Sequence, residues 1–486
     1  MQPSVYSSRT PAIAAGASYR TLWRWHFYAG LFVMPFLMVL AITGTVYCFQ
    51  PQIEPMLYPH RLMVEASTTP RLSEDALLAR ARAAVPAGSS ASSIPVEVAA
   101  NRSAEFVFRL TDGEKQSVYL NPYTGEVLGT LSVEHRFMQV DRMLHRKLLL
   151  GKPGELLMEL AACWTLVMIG TGVALWWPRE RVSVREAAVP QLKLRGRPLW
   201  KNLHAVMGIW LAAGALAFVL TGLPWSGSWG KRFQALATSA GLGSPPGAWG
   251  GLKLRSMPPG GAGANVSPPT AAAQASPGME SMPGMVMDDL PLSRTPWAVG
   301  DVAVAQSSAT GGAAALPLSA VIAKARSLGV TSGYEIALPS SATGVYTVSY
   351  FPADPKQERT IYLDQYSGAV LKDIRYGDYG AVAKAVSYGT ALHMGRYFGL
   401  VNQLICAAIS LGLMAMAVTG LVMWWKRRPA GSLGAPRRAA SEPPMRAWKT
   451  GLVVVGIVFP LMGATIVVVW LLDRAVFGQM GRRLAL

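Results

Sequence analysis

The sequence predicts a membrane all-α bundle with two extracytoplasmic α+β insertions, built by internal duplication, with four core transmembrane helices plus a fifth C-terminal helix. Composition is the first reason: 51% of the 486 residues are hydrophobic and only 15% are charged, a balance suited to spans joined by soluble segments. The second is five windows without a charged residue, 25–53, 160–178, 202–230, 397–425 and 450–472; about 20 apolar residues cross a bilayer. The third is a repeat. His26 is followed by Gly30 at four residues and by Thr43-Gly44 at 17 and 18, and His204 by Gly208 and Thr221-Gly222 at the same offsets. His145 precedes Gly151, Thr171-Gly172 and Trp176-Trp177 by 6, 26 and 31 residues; His393 precedes Gly399, Thr419-Gly420 and Trp424-Trp425 identically. Spacing kept over such distances is the signature of a duplicated unit.

In chain order, residues 1–21 form a cytoplasmic N-terminus and 22–50 the first span. Its apolar run, Phe27–Phe49, is longer than a signal-peptide core, so it is read as uncleaved. Residues 51–141 form the first insertion, with a helix over 72–85 opened by Ser73-Glu74-Asp75 and strands around 105–110, 117–120 and 126–129. Residues 142–178 hold an outer interfacial segment and the second span, 179–199 a cytoplasmic loop, and 200–225 the third span. The second insertion, 226–388, repeats the first: a helix over 318–328, strands over 334–338 and 345–350, and TIYLDQYSGAVL (360–371) matching SVYLNPYTGEVL (117–128). Within it, 241–312 is rich in Gly, Pro, Ala and Ser, and is expected to be mostly flexible because it has too little apolar surface to order itself. Residues 389–425 repeat the outer segment and form the fourth span. A loop over 426–449, a fifth span over 450–472 and a tail over 473–486 complete the chain.

Lys and Arg fix the orientation. They crowd the connections after the second and fourth spans, which places both in the cytoplasm and the two insertions outside, in the periplasm of a bacterial inner membrane protein. Arg474, Arg482 and Arg483, past the fifth span, run against this rule. The net charge of +18 is thus accounted for without nucleic acid. The three cysteines lie in apolar windows, and no CxxC or CxxCH occurs, so zinc, iron–sulfur and covalent haem signatures are lacking.

The four repeated histidines are the candidate cofactor ligands. His26 and His204 lie at the inner ends of outward-going spans, and His145 and His393 at the outer ends of inward-going ones. The two levels are on the order of 30 Å apart, so only histidines of one level can share an iron. The expectation is two bis-histidine b-type haems, His26 with His204 and His145 with His393; filled axial positions favour electron transfer. Gly30, Gly208, Gly151 and Gly399 are read as clearing space for a flat macrocycle. Met279, Met282, Met285 and Met287, in PGMESMPGMVMDD, offer thioethers suited to Cu(I), or are drift in a linker.

Together WHFYAG with Thr43-Gly44, LHRKLLLG through ALWWPRE (144–180), LTGLPWSGSWG (220–230), ALHMGRYFGL with TGLVMWWKRR (391–428) and the YLNPYTGEVLG-type hairpins resemble the PepSY-associated transmembrane family of iron-regulated membrane proteins, over about residues 20–428. The resemblance implies PepSY-like periplasmic domains, haems held by span histidines, and reduction of ferric siderophores in the periplasm. The chain departs from the family in the 241–312 insertion and the fifth span. The resulting expectation is a haem-dependent metal reductase that reduces a ferric siderophore or similar chelate and releases Fe(II). A copper-related reductase, or a haem-free scaffold or sensor binding a periplasmic protein, are the alternatives. No GxGxxG or P-loop is present, so electrons must come from a separate donor, membrane quinol or a cytoplasmic reductase. Trp225, Trp229, Lys231, Arg396 and Tyr397 are read as flanking the outer level, where they could hold an anionic chelate.

Overall fold

The computed structural model describes residues 10–178, 183–248, 254–256, 315–429, 434–436 and 445–483. Met279, Met282, Met285 and Met287 lie outside them, as does most of the 241–312 insertion. The chain forms two compact units: Met1–Cys48, Met143–Phe233 and Gln403–Leu486 make one, Phe49–Arg142 and Gln234–Asn402 the other.

The first unit is helical. Ser18–Cys48, Lys152–Trp176, Arg197–Trp225 and Leu400–Arg427 are long and apolar enough to cross a membrane. The second and third start alike, on a glycine with positive φ (Gly151 and Gly196) followed within two residues by a proline. Only glycine adopts that φ cheaply, and proline at a first turn costs no hydrogen bond. The core is a set of facing stripes, Ala29, Val33 and Leu37 against Cys163, Trp164 and Val167, with Ala215, Val219 and Leu413. Outward faces stay apolar: Leu220 is 56% exposed, Leu404 55% and Ile405 53%. Faces of that kind suit lipid as solvent and would be a liability in water. Arg427 lies over the rings of Trp23 (4.7 Å) and Phe27 (5.3 Å), and Arg428 over Trp425 (4.4 Å), so the basic end of the fourth span is held on an aromatic rim.

The fifth span is not one helix. Helix Arg446–Val458 ends at Phe459 and helix Pro460–Arg483 begins. Pro460 has no N–H to continue the ladder, and it excludes Phe459 from the helical region (φ −119°, ψ 84°). The chain folds back there. A Cβ on Gly456 would stand 3.2 Å from the Gly463 Cα, whereas seven residues of straight helix would separate those backbones by about 10 Å. Both arms return to one aromatic pair: Trp448 meets Trp25 (6.2 Å), Trp25 stacks on Trp164 (6.1 Å), and the Trp164 indole N–H donates to Thr465 Oγ1 (3.0 Å). At the bend Trp229 donates to the Val458 carbonyl (2.7 Å). The arm from Trp448 to Phe459 rises only about 16 Å, half a bilayer. The first arm is therefore too short to cross alone, and two helices stand where a single fifth span was expected. A fluorescent or phosphatase reporter fused to the end of the chain is expected to report from the same side as one at the start. Opposite sides would restore a single straight span.

The second unit holds one eight-stranded antiparallel sheet. Its strands are β1 Ser90–Val96, β2 Ala104–Arg109, β3 Lys115–Leu120, β4 Val127–Ser132, β5 Tyr334–Ala337, β6 Val345–Tyr350, β7 Arg359–Asp364 and β8 Val370–Arg375. The order β4-β3-β2-β1-β5-β6-β7-β8 is two four-stranded meanders joined back to back, with Ile94 opposite Ile336. Helices Glu74–Ala83 and Leu318–Ser327 bury Leu77, Leu78, Ala81, Val321, Ile322 and Ala325 against Phe106, Phe108, Val118, Val348 and Ile361. Ser73 caps the first helix. Asp75, at its start, accepts from the backbone N–H of Leu318 (2.7 Å) and Ser319 (3.2 Å), so a carboxylate of the first helix caps the second. The second helix opens on Pro317, without a side-chain cap of its own.

Charges are buried beside the sheet. Arg136 pairs with Glu54 (2.6 Å) and Glu105 (3.2 Å), and Tyr119 Oη donates to Glu105 (3.0 Å). Burial works against the Arg136 charge, but Glu105, Tyr119 and Glu54 outweigh it and hold its pKa above the ordinary value. The start of the 241–312 insertion packs on the sheet unit: Ala248 is buried with Val345, Tyr362, Ile374, Tyr379 and Ala383, and its carbonyl accepts from Thr360 Oγ1 (2.6 Å). Ser256 Oγ accepts the Gln365 N–H (2.8 Å). These short contacts at the edge of the core are satisfied by backbone groups, which a compositional reading does not register.

Candidate functional site

The repeated histidines resolve into two levels on the first span. His26 lies towards the middle of helix Thr10–Cys48 and Thr43 near its end, about 26 Å farther along. At the first level the structure brings His26 and His204 together, ring centroids 6.3 Å apart and planes at 82°. A metal–nitrogen bond of about 2 Å, with about 1 Å more to each ring centre, puts the centroids of two axial imidazoles about 6 Å apart. The spacing therefore fits one metal ion clasped between the rings.

Threonines set the tautomer. The Thr171 hydroxyl donates to the Val167 carbonyl of its own helix (2.6 Å). Its oxygen is left to accept from His26 Nδ1 (3.0 Å), which also lies 3.1 Å from the Met168 carbonyl. Thr419 donates to the Met416 carbonyl (2.9 Å) and accepts from His204 Nδ1 (2.9 Å). With its proton held on Nδ1, each ring presents the Nε2 lone pair, the form that ligates iron. At the second level the same device recurs: Thr43 donates to the Val39 carbonyl (2.7 Å) and accepts from His145 Nδ1 (2.8 Å). His393 closes helix Ala381–His393 of the sheet unit, where burial lowers its pKa to about 4. Thr221 donates to the Ala217 carbonyl (2.6 Å) as its repeat partners do.

The glycine of three of these Thr-Gly pairs makes room for the same ring. A Cβ on Gly172 would stand 3.1 Å from His26 Cε1, one on Gly44 3.3 Å from His145 Cε1, and one on Gly420 3.5 Å from His204 Cε1. The glycines nearer the histidines have other duties. A Cβ on Gly30 would meet no protein atom within 4 Å, which suits a flat macrocycle, but one on Gly208 would meet Met416 Cε at 3.2 Å. Gly151 and Gly399 adopt positive φ (64° and 56°) where the second and fourth spans begin, so they serve the bend. The Thr-Gly pairs were visible in the repeat, but the hydrogen bond from threonine to histidine was not.

Among the described residues no group of three or more His, Cys, Asp or Glu side chains gathers to hold a metal ion. Two imidazoles alone make a poor cage for a bare ion, but they complete the coordination of an iron whose other ligands come from a porphyrin. The residues present thus fit a haem. Trp229 is not available for a chelate: its ring lies on Phe233 (5.0 Å) and Phe459 (4.9 Å) and its N–H is used at the hairpin.

Four apolar spans joined to an antiparallel sheet unit define a membrane protein with an α+β part. The profile described as PepSY-associated TM region matches residues 23–427, and the chain belongs to that family. The helical hairpin lies beyond the match. No curated protein matches the chain.

Proposed function

We propose that the protein is a dihaem electron-transfer protein of the bacterial inner membrane, reducing a ferric chelate such as a siderophore complex on the periplasmic side so that Fe(II) is released. The observation that carries this is the His26–His204 pair, set 6.3 Å apart with each Nδ1 bonded to a threonine. When bound, bis-histidine haem supplies reversible one-electron chemistry. The chain's own residues fix the rest. Thr171 and Thr419 hold the ring tautomers, and Ala29, Val33 and Val167, buried within about two turns of His26 or Thr171, line the apolar side of the site. The second pair, His145 with His393, follows from the sequence repeat, with Thr43 holding the His145 ring. The basic loops after the second and fourth spans support a periplasmic sheet unit. Oxygen-donor chelators prefer the harder ferric ion, so reduction loosens the metal. The electron donor is membrane quinol or a cytoplasmic reductase.

The test is the absorption spectrum of protein purified from haem-sufficient cells. Low-spin b-type bands that sharpen on reduction, with about two haems per chain, are the expected result. Colourless protein would rule the proposal out.

A further inference from the structure

The duplication is uneven in one place, beside the outer histidines. Counting from His145, the residues at −5, +4 and +5 are Val140, Leu149 and Leu150; counting from His393 they are Tyr388, Tyr397 and Phe398. The second copy alone is aromatic, and in the structure its rings form a series. Tyr376 meets Tyr388 edge to face (6.1 Å, 90°), Tyr388 meets Tyr397 (5.3 Å, 77°), and Tyr397 meets Phe398 (4.6 Å, 73°). The three tyrosines are half-exposed and Phe398 is 62% exposed. An anchor at the membrane interface would be required in both copies, so the asymmetry asks for a different reason.

Cations frame the rings. Lys384 Nζ lies 5.5 Å from the Tyr376 ring centre and donates to the Gly377 carbonyl (3.2 Å). Arg396, next to Tyr397, donates to the Pro352 carbonyl (3.0 Å). Of the nearby acids, Asp354, which bears on both Tyr376 and Tyr388, accepts the Lys356 N–H (3.1 Å), Asp378 accepts the Arg375 N–H (2.8 Å) and Glu358 is buried against Ser387 (3.0 Å). The series is therefore aromatic and bordered by Lys384 and Arg396, with its neighbouring acids engaged by protein groups. Tyr388 lies on the helix that ends in His393, about 7.5 Å along its axis from that residue.

We infer that Tyr376, Tyr388, Tyr397 and Lys384 form a docking face for an anionic metal chelate with aromatic ligands, of the catecholate class, beside His393. Edge-to-face rings leave π-faces on which a planar ligand stacks, and ammonium and guanidinium groups meet its negative oxygens. A hydroxamate chelate, without rings or net negative charge, gains neither. The inference rests on the chelate-reductase reading, and it makes the two halves unequal: both carry haem ligands, and one receives the substrate.

The test measures equilibrium binding of a gallium(III) tris-catecholate, which is redox-inert, to the full-length protein in nanodiscs. Tyr388→Ala, Tyr397→Ala and Lys384→Gln are each expected to weaken binding about fivefold to tenfold. Tyr388→Phe keeps the ring and is expected to keep the affinity, and Leu149→Ala, at the matched site of the first copy, to change nothing. Wild-type affinity in both tyrosine-to-alanine variants, equal dependence of a gallium tris-hydroxamate on the same rings, or no catecholate binding by the wild type would each overturn the inference. Normal gallium binding by a protein that carries no haem would uphold the docking face and sink the electron-transfer reading instead.

Discussion

Replacing His26 with alanine is expected to remove one of about two haems per chain, and His204→Ala to remove the same one. Their rings are 6.3 Å apart, so each variant would leave one imidazole where two would hold the haem. His145→Ala is expected to spare that component and disturb the other, because it is held by Thr43, about 26 Å away along the first span. Thr171→Val is the subtler variant. It keeps the ligand and removes the acceptor at Nδ1, a change that typically costs about 10-fold to 100-fold in metal affinity. Pyridine haemochrome counts and low-temperature reduced spectra read all four. If His26→Ala and His145→Ala abolish the same spectral component in folded protein, the two-level arrangement is wrong.

Arg136→Met is expected to cause the largest loss of stability. It would strand Glu54 and Glu105, both buried, without their shared counter-charge. Breaking a buried pair by removing one partner costs about 3–5 kcal/mol, since the orphaned charge keeps its desolvation penalty. Burial already raises the Glu54 pKa despite Arg136, so without the arginine the carboxyl is expected to take up a proton. A folded state that binds a proton the unfolded state has released loses stability as pH rises, so the defect should be smaller at pH 5 than at pH 8. Replacing Glu54, Glu105 and Arg136 together by apolar residues of similar volume is expected to cost far less than the single change. Thermal unfolding of the full-length variants in detergent at two pH values measures this. A loss under about 1 kcal/mol would show that the arginine is not the group that compensates the two carboxylates.

The sequence by itself determined whatever depends on local composition or on period. Four spans could be read because bilayer thickness sets one length for every crossing helix. The histidines could be read because the duplication repeats their offsets to Gly and Thr. The sheet strands 117–120, 345–350 and 360–364 could be read because they alternate around tight Asn-Pro-Tyr-Thr-Gly and Asp-Gln-Tyr-Ser-Gly turns. Tertiary structure alone decided the rest. Strand β1, Ser-Ala-Ser-Ser-Ile-Pro-Val, has three serines and a proline and no strand signature; it is a strand because β2 and β5 pair with it on both sides. That pairing is also why two insertions share one sheet. The fifth span failed as a single helix because hydropathy is blind to Pro460 and to the Gly456–Gly463 contact that lets two arms close. The partner of His26, His145 and His204 is in each case a threonine, as many as 215 residues away. A hydrogen bond across helices leaves no local mark in the chain except the offset at which its two ends recur.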